Sequence, residues 1–278
     1  MAAHEGQWLK THVGAHELRG KTLGIIGYGR IGSQVGLLAE ALGMKVVFYD
    51  ILPTLIMGNA QPAENLEEVL KTADIISLHV PETTTTRHMI NEHTLGLMKP
   101  GARLINYSRG KVVDNAALAN ALIKGHLSGA AVDVFEQEPA SKSARFENPL
   151  QGLRQVILSP HIGGSTEEAQ ESIGLDVAQK LINFLDQGNT IGSVSLPEIQ
   201  LPAMEGTHRI LHVHRNRSGV LSEINQRLSD HGFNIVGQFL KTNEHIGYVV
   251  LDIEQGNTPL AVDILKDVKE TIRIRSLY

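Results

Sequence analysis

Arg109, Glu138 and His161 are the side chains of this sequence best equipped for chemistry. Each lies where an apolar run ends or in the loop that follows: Arg109 in Asn106-Tyr-Ser-Arg109-Gly110, Glu138 in Val134-Phe-Glu-Gln-Glu138-Pro139, His161 in Ser159-Pro-His161-Ile-Gly-Gly. A histidine with its ordinary pKa of about 6.5 takes and returns a proton near neutrality, and a neighbouring carboxylate raises that value and fixes the tautomer. Arginine presents a planar, two-pronged donor to a carboxylate. Together the three supply the acid/base, its orienting partner and the carboxylate holder that oxidation of a 2-hydroxy acid requires, if a hydride acceptor is at hand. Taken singly, each also has an ordinary reading: an arginine capping a helix, a solvated loop glutamate, a structural histidine.

The place of such an acceptor is marked by Gly27-Tyr-Gly29-Arg30-Ile31-Gly32, which follows an apolar run and opens a helical one. In that context the first glycine allows a tight turn, the second lets backbone approach a pyrophosphate, and the third packs helix on strand. The phosphates then sit at a helix N-terminus, where free N–H groups and the dipole favour anions. Asp50 closes the next apolar run, where a carboxylate accepts from ribose hydroxyls and repels a 2′-phosphate, so the expected cofactor is NAD rather than NADP. Read alone, the glycines are a Gly-rich turn and Asp50 a turn carboxylate; the joint pattern favours the nucleotide.

These groups need a frame. Residues 23–27, 45–49, 74–80, 102–106, 129–135 and 155–159 read as short strands alternating with helical runs, which is the pattern of a Rossmann-type, doubly wound parallel sheet in an α/β protein. Such sheets bind ligands outside the carboxyl ends of their strands, where the Arg109, Glu138 and His161 loops would converge. Ile31, Val35, Leu38 and Leu42 recur at helical spacing, predicting a helix over 30–43 that buries this face and stops at Gly43. Ser165-Thr-Glu-Glu168 reads as a capping box that opens a helix running through Leu185.

Residues 187–206 carry glycines and prolines without a period and read as a linker after a first domain of residues 1–186. Residues 207–278 read strand, helix, strand, strand, helix, strand, a βαββαβ ferredoxin-like module. Within it, Ser218 is the expected N-cap of the first helix. Backbone N–H groups of Gly219 and Val220 can receive a carboxylate, while His214 and Asn216 can bind a small polar side chain or amine; the plainer reading is a capping loop. His212 and His214 form an HxH pair on one strand face, but no third ligand accompanies them, so no metal is expected.

The chain has 42% hydrophobic and 20% charged residues, no cysteine and a formal net charge of −5. The charge gives no electrostatic footprint for nucleic acid, no run is long enough for a membrane span, and disulfides and Cys-based zinc sites are excluded. Residues 1–10 lack the basic start and apolar centre of a signal peptide, so a reducing, cytoplasmic home is expected. Trp8, the only tryptophan, stands in a polar stretch and reads as an anchor into another subunit or as packing on its own domain.

GIIGYGRIG, SLHVPET, LMKPGARLINYSRG, AAVDVFEQEP and SPHIGGSTEEAQ together resemble the D-isomer-specific 2-hydroxyacid dehydrogenases, in particular the branch that acts on 3-phosphoglycerate and carries a C-terminal ACT regulatory domain. The similarity runs from His4 to Tyr278. It implies Arg109 as carboxylate binder, His161 as general acid/base, Glu138 as its orienting partner, and Asp133 with the backbone at Arg30 and Ile31 as holders of the nicotinamide and phosphates. It also implies L-serine as an effector, bound at an interface between paired ACT modules by the 214–220 loop of one and Asn234 of the other, in a homo-oligomer. Lys10 falls where a substrate phosphate would be met, unless it is merely solvated. In the family the nucleotide domain is inserted into a substrate-binding domain built mainly from the N-terminal segment. The resemblance puts Met1 near the interdomain helix, so this chain is expected to bind NADH normally yet turn over slowly. Two other readings stand beside that one: a non-catalytic, serine-sensing NAD-binding fragment, and a dehydrogenase of another 2-hydroxy acid.

Overall fold

The computed structural model describes every residue except Met1, Leu9, Thr11, Lys142, Ser143, Met204, Glu205 and Tyr278. The chain packs as two compact units, residues 1–166 and 167–278. No helix among the described residues is long and apolar enough to cross a membrane.

The first unit runs β1 (Thr22–Ile26), α1 (Arg30–Ala41), β2 (Lys45–Tyr49), β3 (Gln61–Pro62), α2 (Leu66–Thr72), β4 (Ile75–Leu78), α3 (Glu92–Leu97), β5 (Arg103–Asn106), α4 (Asn115–Ile123), β6 (Gly129–Val132) and β7 (Val156–Leu158). Its seven strands are parallel, in the order β3-β2-β1-β4-β5-β6-β7. Chain direction across the sheet reverses between β1 and β4, which opens a crevice at their carboxyl ends. Helices on both faces explain why Ile25, Ile26, Ile76, Leu78 and Leu104 are all buried without polar alternation. Side chains start the helices: Asn65 accepts from Glu68 N–H, Asn91 and Thr94 close a capping box, and Asp114 accepts from Ala117 N–H. The two-residue β3 is absent from the sequence reading. Pro62 cannot donate to a ladder, and β3 accordingly lies at the sheet edge.

One expectation is overturned in α1. Ile31 and Leu38 are each 67% exposed and Leu42 is 57% exposed, while the buried residues are Gly32, Ser33, Gly36 and Ala39. The close approach of helix to strand decides this. A Cβ at Gly32 would lie 2.1 Å from the Gly27 carbonyl oxygen, and one at Gly36 would lie 3.3 Å from the Tyr28 ring. Small residues take most of the inner face because larger ones cannot; of the expected stripe Val35 alone packs against the core, while Ile31, Leu38 and Leu42 are turned outward.

The second unit runs α5 (Glu167–Gln187), β8 (Thr207–Arg215), α6 (Val220–Asp230), β9 (Ile235–Thr242), β10 (Ile246–Glu254), α7 (Thr258–Lys266) and β11 (Thr271–Leu277). The antiparallel sheet has the order β11-β8-β10-β9, as a βαββαβ module requires. Alternation divides its faces. Ile210, Val249, Leu251 and Ile253 pack with Val220, Ile224, Leu228, Ala261 and Leu265 of the two helices, whereas Leu211, Tyr248, Val250 and Leu277 cluster with Leu201. The expected Ser218 cap is corrected: Gly219 is the N-cap of α6, left-handed at φ +91°, and no side chain caps the helix.

Polar side chains on the second face hold the end of α5. Buried Arg209 grips Asp252 through both prongs, at 2.6 and 2.7 Å, and donates to the carbonyls of Gln187 and Pro202. Arg275 donates to the Leu185 carbonyl and the Tyr248 hydroxyl to that of Gly188. These groups satisfy carbonyls that a helix terminus leaves without internal partners. Arg209→Ala leaves Asp252 8% exposed and without its partner, so a loss of about 3–5 kcal/mol is expected in thermal or urea unfolding of the chain. Replacing both partners with leucine should recover only part of it, because the Gln187 and Pro202 carbonyls still lose their donor.

Candidate functional site

The crevice between β1 and β4 is shaped by glycines with different constraints. Gly27 sits at φ +91°, and a Cβ there would come 2.7 Å from the His79 carbonyl oxygen. Gly29 meets nothing within 4 Å, so the fold itself does not exclude a side chain there and open space remains above the N-terminus of α1. Arg30 and Ile31 are exposed beside it. The Asp50 carboxylate at the end of β2 accepts from Tyr28 N–H at 2.8 Å and Leu52 N–H at 2.9 Å. Each oxygen keeps a lone-pair direction for a further donor. His79 went unassigned in the sequence reading, although SLHVPET contains it. Its Nε2 lies 2.9 Å from Ser77 Oγ and its N–H donates to the Ile26 carbonyl, joining β4 to β1. Burial pushes its pKa down, so the ring is held neutral.

His161 and Glu138 meet: Nδ1 lies 2.8 Å from Oε2, with both side chains partly exposed. Glu138 is itself oriented, since its Oε1 accepts from Phe135 N–H at 3.1 Å. His161 has φ +55°, a left-handed conformation costly for a residue with a Cβ. Asp133 imposes it. Its carbonyl accepts from His161 N–H at 2.8 Å, its Oδ1 from Ser159 Oγ at 2.6 Å and Ile162 N–H at 3.0 Å, and its Oδ2 from Gly163 N–H at 2.8 Å. Burial opposes ionisation of Asp133, yet these donors and the nearby His161 together hold its carboxyl below the usual range. Asp133 thus clasps the loop that carries His161. Tyr107 extends the clasp through a 3.1 Å contact with Ser159 Oγ.

Arg109 is placed by a second buried hub. Asn106 donates to the Arg109 carbonyl and accepts from the Ser108 N–H and hydroxyl. Gly110 then seats this loop on the backbone before Glu138, where a Cβ would lie 1.9 Å from the Phe135 carbonyl oxygen. The Arg109 guanidinium bonds to the Ser108 carbonyl at 2.7 Å and is exposed. Asn106, Ser108 and Gly110 were missed by sequence reasoning, although they stand in the same NYSRG run. A cavity of about 600 Å³ adjoins the pair, lined by Phe135, Glu138, Phe146, Leu158, Ser159 and His161. Another of about 570 Å³ lies at the amino ends of β1, β4 and β5, beside Lys21, Asp74, Lys99 and Arg103, away from these groups. Lys10 is exposed and, among the described residues, no hydrogen bond or ion pair joins it to His161; Trp8 is 85% exposed.

In the second unit His214 is buried on β8, and Asn216 Nδ2 donates to the Asn243 carbonyl at 2.7 Å, beside Gly219 and Val220 at the start of α6. Asn234 is elsewhere. Its Nδ2 donates to Glu254 at the far end of β10, whereas His214 pairs with Gly247 at the near end. Seven steps along the strand, from Gly247 to Glu254, separate those ends, roughly 20 Å. No group of three or more His, Cys, Asp or Glu suited to a metal occurs among the described residues.

Comparison with known proteins agrees with this geometry. Residues 1–163 match the model for the D-isomer specific 2-hydroxyacid dehydrogenase NAD-binding domain, and residues 210–274 match an AHAS small subunit-like ACT domain. The chain is similar to the D-3-phosphoglycerate dehydrogenases of Haemophilus influenzae, at 51% identity over 99% of this chain and 67% of that protein, and of Escherichia coli K12, at 50% over 99% and 68%. Among solved structures, the D-lactate dehydrogenase of Aquifex aeolicus complexed with NAD and lactic acid superposes with a TM-score of 0.58 at 37% identity, covering 66% of this chain and 59% of that one. That of Lactobacillus jensenii with NAD⁺ gives 0.58 at 32%, covering 65% and 58%. The chain thus spans about two thirds of the curated relatives' length and less of these structures. Its glycine cradle, its clasped histidine and its matched segments identify the chain as a member of the D-isomer-specific 2-hydroxyacid dehydrogenase family, with an NAD-binding domain followed by an ACT domain.

Proposed function

We propose that the chain oxidises 3-phosphoglycerate to 3-phosphohydroxypyruvate with NAD and is inhibited by L-serine through its ACT domain. The observation that carries the dehydrogenase reading is the 2.8 Å contact between His161 and Glu138. NAD, when bound, accepts the hydride from the substrate carbon. The residues present fit that cofactor: open space at Gly29 would admit a pyrophosphate to the start of α1, and the Asp50 carboxylate would accept from the ribose hydroxyls. Glu138 accepts the Nδ1 hydrogen of His161, which leaves Nε2 bare to take the substrate's hydroxyl proton as the carbonyl forms. Arg109 forks onto the carboxylate, and Lys10 is the candidate for the phosphate. Asp133 acts first as a positioning residue for His161, with any nicotinamide contact using what remains of its lone pairs. The choice of 3-phosphoglycerate rests on the names of the two relatives. NADH formation from 3-phosphoglycerate and from D-lactate tests it; a higher kcat/KM for the phosphorylated acid is expected, and equal or inverted values would overturn the substrate.

In functional terms residues 1–186 form the nucleotide domain, 187–206 the linker and 207–278 the ACT domain. The separation of roughly 20 Å along β10 supports an effector site completed by Asn234 of a second copy, and exposed Trp8 suits an anchor in such an assembly. Asp50 sets the nucleotide preference. Fluorescence titration should give a lower Kd for NADH than for NADPH, with Asp50→Ala narrowing the gap; equal constants in the unaltered chain would remove Asp50 from this role.

A further inference from the structure

His212 takes no part in the effector reading, yet it is the most enclosed histidine near it. His212 and His214 lie on the helix-covered face of β8, 0% and 3% exposed. Their Nδ1 atoms are 3.3 Å apart. On its other side, His212 Nε2 is 2.9 Å from Thr271 Oγ1, which is 3.1 Å from the Leu265 carbonyl oxygen. Across the strand pair stands Gly247, where a Cβ would come 2.2 Å from His214 Nε2. Glycine there makes room for the ring.

The hydrogen positions follow from what each atom can offer. A carbonyl only accepts and threonine has one hydroxyl hydrogen, so that hydrogen points to Leu265. His212 Nε2 must then donate to Thr271, because otherwise a lone pair of Oγ1 would face the carbonyl. Burial, with His214 beside it, pushes the His212 pKa down to about 4, so the ring is neutral near pH 7 and its Nδ1 is bare. Two bare nitrogens do not form a contact, so His214 Nδ1 carries a hydrogen and donates it to His212. Burial also lowers the pKa of His214, which keeps that ring neutral and its Nε2 bare. No protein donor reaches His214 Nε2 among the described residues, and it is not sealed from solvent.

We propose that His212 is a positioning residue that locks His214 in the Nδ1–H tautomer, so that the loop at His214 selects a ligand group that donates a hydrogen bond, a hydroxyl or an ammonium, over one that only accepts. This rests on the effector reading for the identity of the ligand, but the lock itself does not. The chain Leu265, Thr271, His212, His214 also ties the ligand contact to the end of α7 and the start of β11.

The experiment uses the full chain labelled with ¹⁵N-histidine. Long-range ¹H–¹⁵N spectra, assigned with His212→Asn and His214→Asn, should show a bare Nε2 on His214 and a protonated Nε2 on His212. A protonated Nε2 on neutral His214 overturns the proposal. Calorimetry then compares L-serine, L-alanine and O-methyl-L-serine. If the hydroxyl is the donor, both analogues bind about tenfold more weakly or worse; if the ammonium is, L-alanine binding persists. His212→Phe should weaken L-serine by a similar factor while leaving turnover without effector unchanged, and an undiminished affinity in a folded variant would contradict the lock. If the unaltered chain binds no L-serine, the effector reading fails, and the tautomer spectrum still decides this inference.

Discussion

Glu138→Gln is expected to lower turnover by about 10²- to 10⁴-fold while leaving NADH affinity within a factor of two or three. Glu138 accepts on both oxygens, from Phe135 N–H and from His161 Nδ1. Glutamine cannot reproduce that. With its NH₂ toward His161 it forces the ring hydrogen onto Nε2 and removes the base; with its NH₂ toward Phe135 it sets donor against donor. In a Ser-His-Asp triad the equivalent carboxylate-to-amide change costs about 10⁴ in kcat for the same tautomeric reason. Steady-state kinetics beside fluorescence titration separates the two quantities, and a parallel fall in both would point to a general collapse of the crevice.

Asp133→Asn is expected to cost stability as well as activity. Its side chain receives three donors from the 159–163 loop, and an amide must turn its NH₂ toward at least one of them. Loss of one charge-assisted bond with another made repulsive costs about 2–5 kcal/mol. Released from the clasp, His161 relaxes from φ +55°; a displacement near 1 Å costs about 10² in turnover. The sign of the pH dependence follows from the lowered folded-state pKa. The stability Asp133 contributes is present above the ordinary carboxylate range, about 3.9 in the unfolded chain, and is lost as the pH falls through the lower folded value. Acid unfolding of the unaltered chain should therefore steepen below about pH 4, and Asp133→Asn should flatten that limb. An identical acid limb in the variant would show that the clasp contributes nothing.

Much of the frame was legible because apolar runs bounded by glycine and proline mark parallel strands, and because the last 72 residues alternate strand and helix in an unambiguous order. The inner face of α1 was not. Hydrophobic spacing finds large side chains, whereas the helix–sheet contact over Gly27 selects the small ones at Gly32 and Gly36. The start of α6 was misread at Ser218 because a left-handed glycine can begin a helix without a side-chain cap. At the candidate site, residue types pointed to Arg109, Glu138 and His161, but what holds them lies far away in sequence. Asp133 reaches Ser159 to Gly163, and Gly110 is compelled by the Phe135 carbonyl. No local periodicity carries such contacts. Nor could spacing reveal that Asn234 and His214 sit at opposite ends of β10, since only the strand register does so.

We propose His161 as the proton acceptor of an NAD-linked oxidation assembled on this sheet. This role is tested most directly by measuring NADH binding and NADH formation from 3-phosphoglycerate for the unaltered chain and for His161→Gln in one buffer. Matching NADH dissociation constants are expected, with a turnover number lower by about 10²- to 10⁴-fold in the variant. Equal turnover in the two proteins would contradict it.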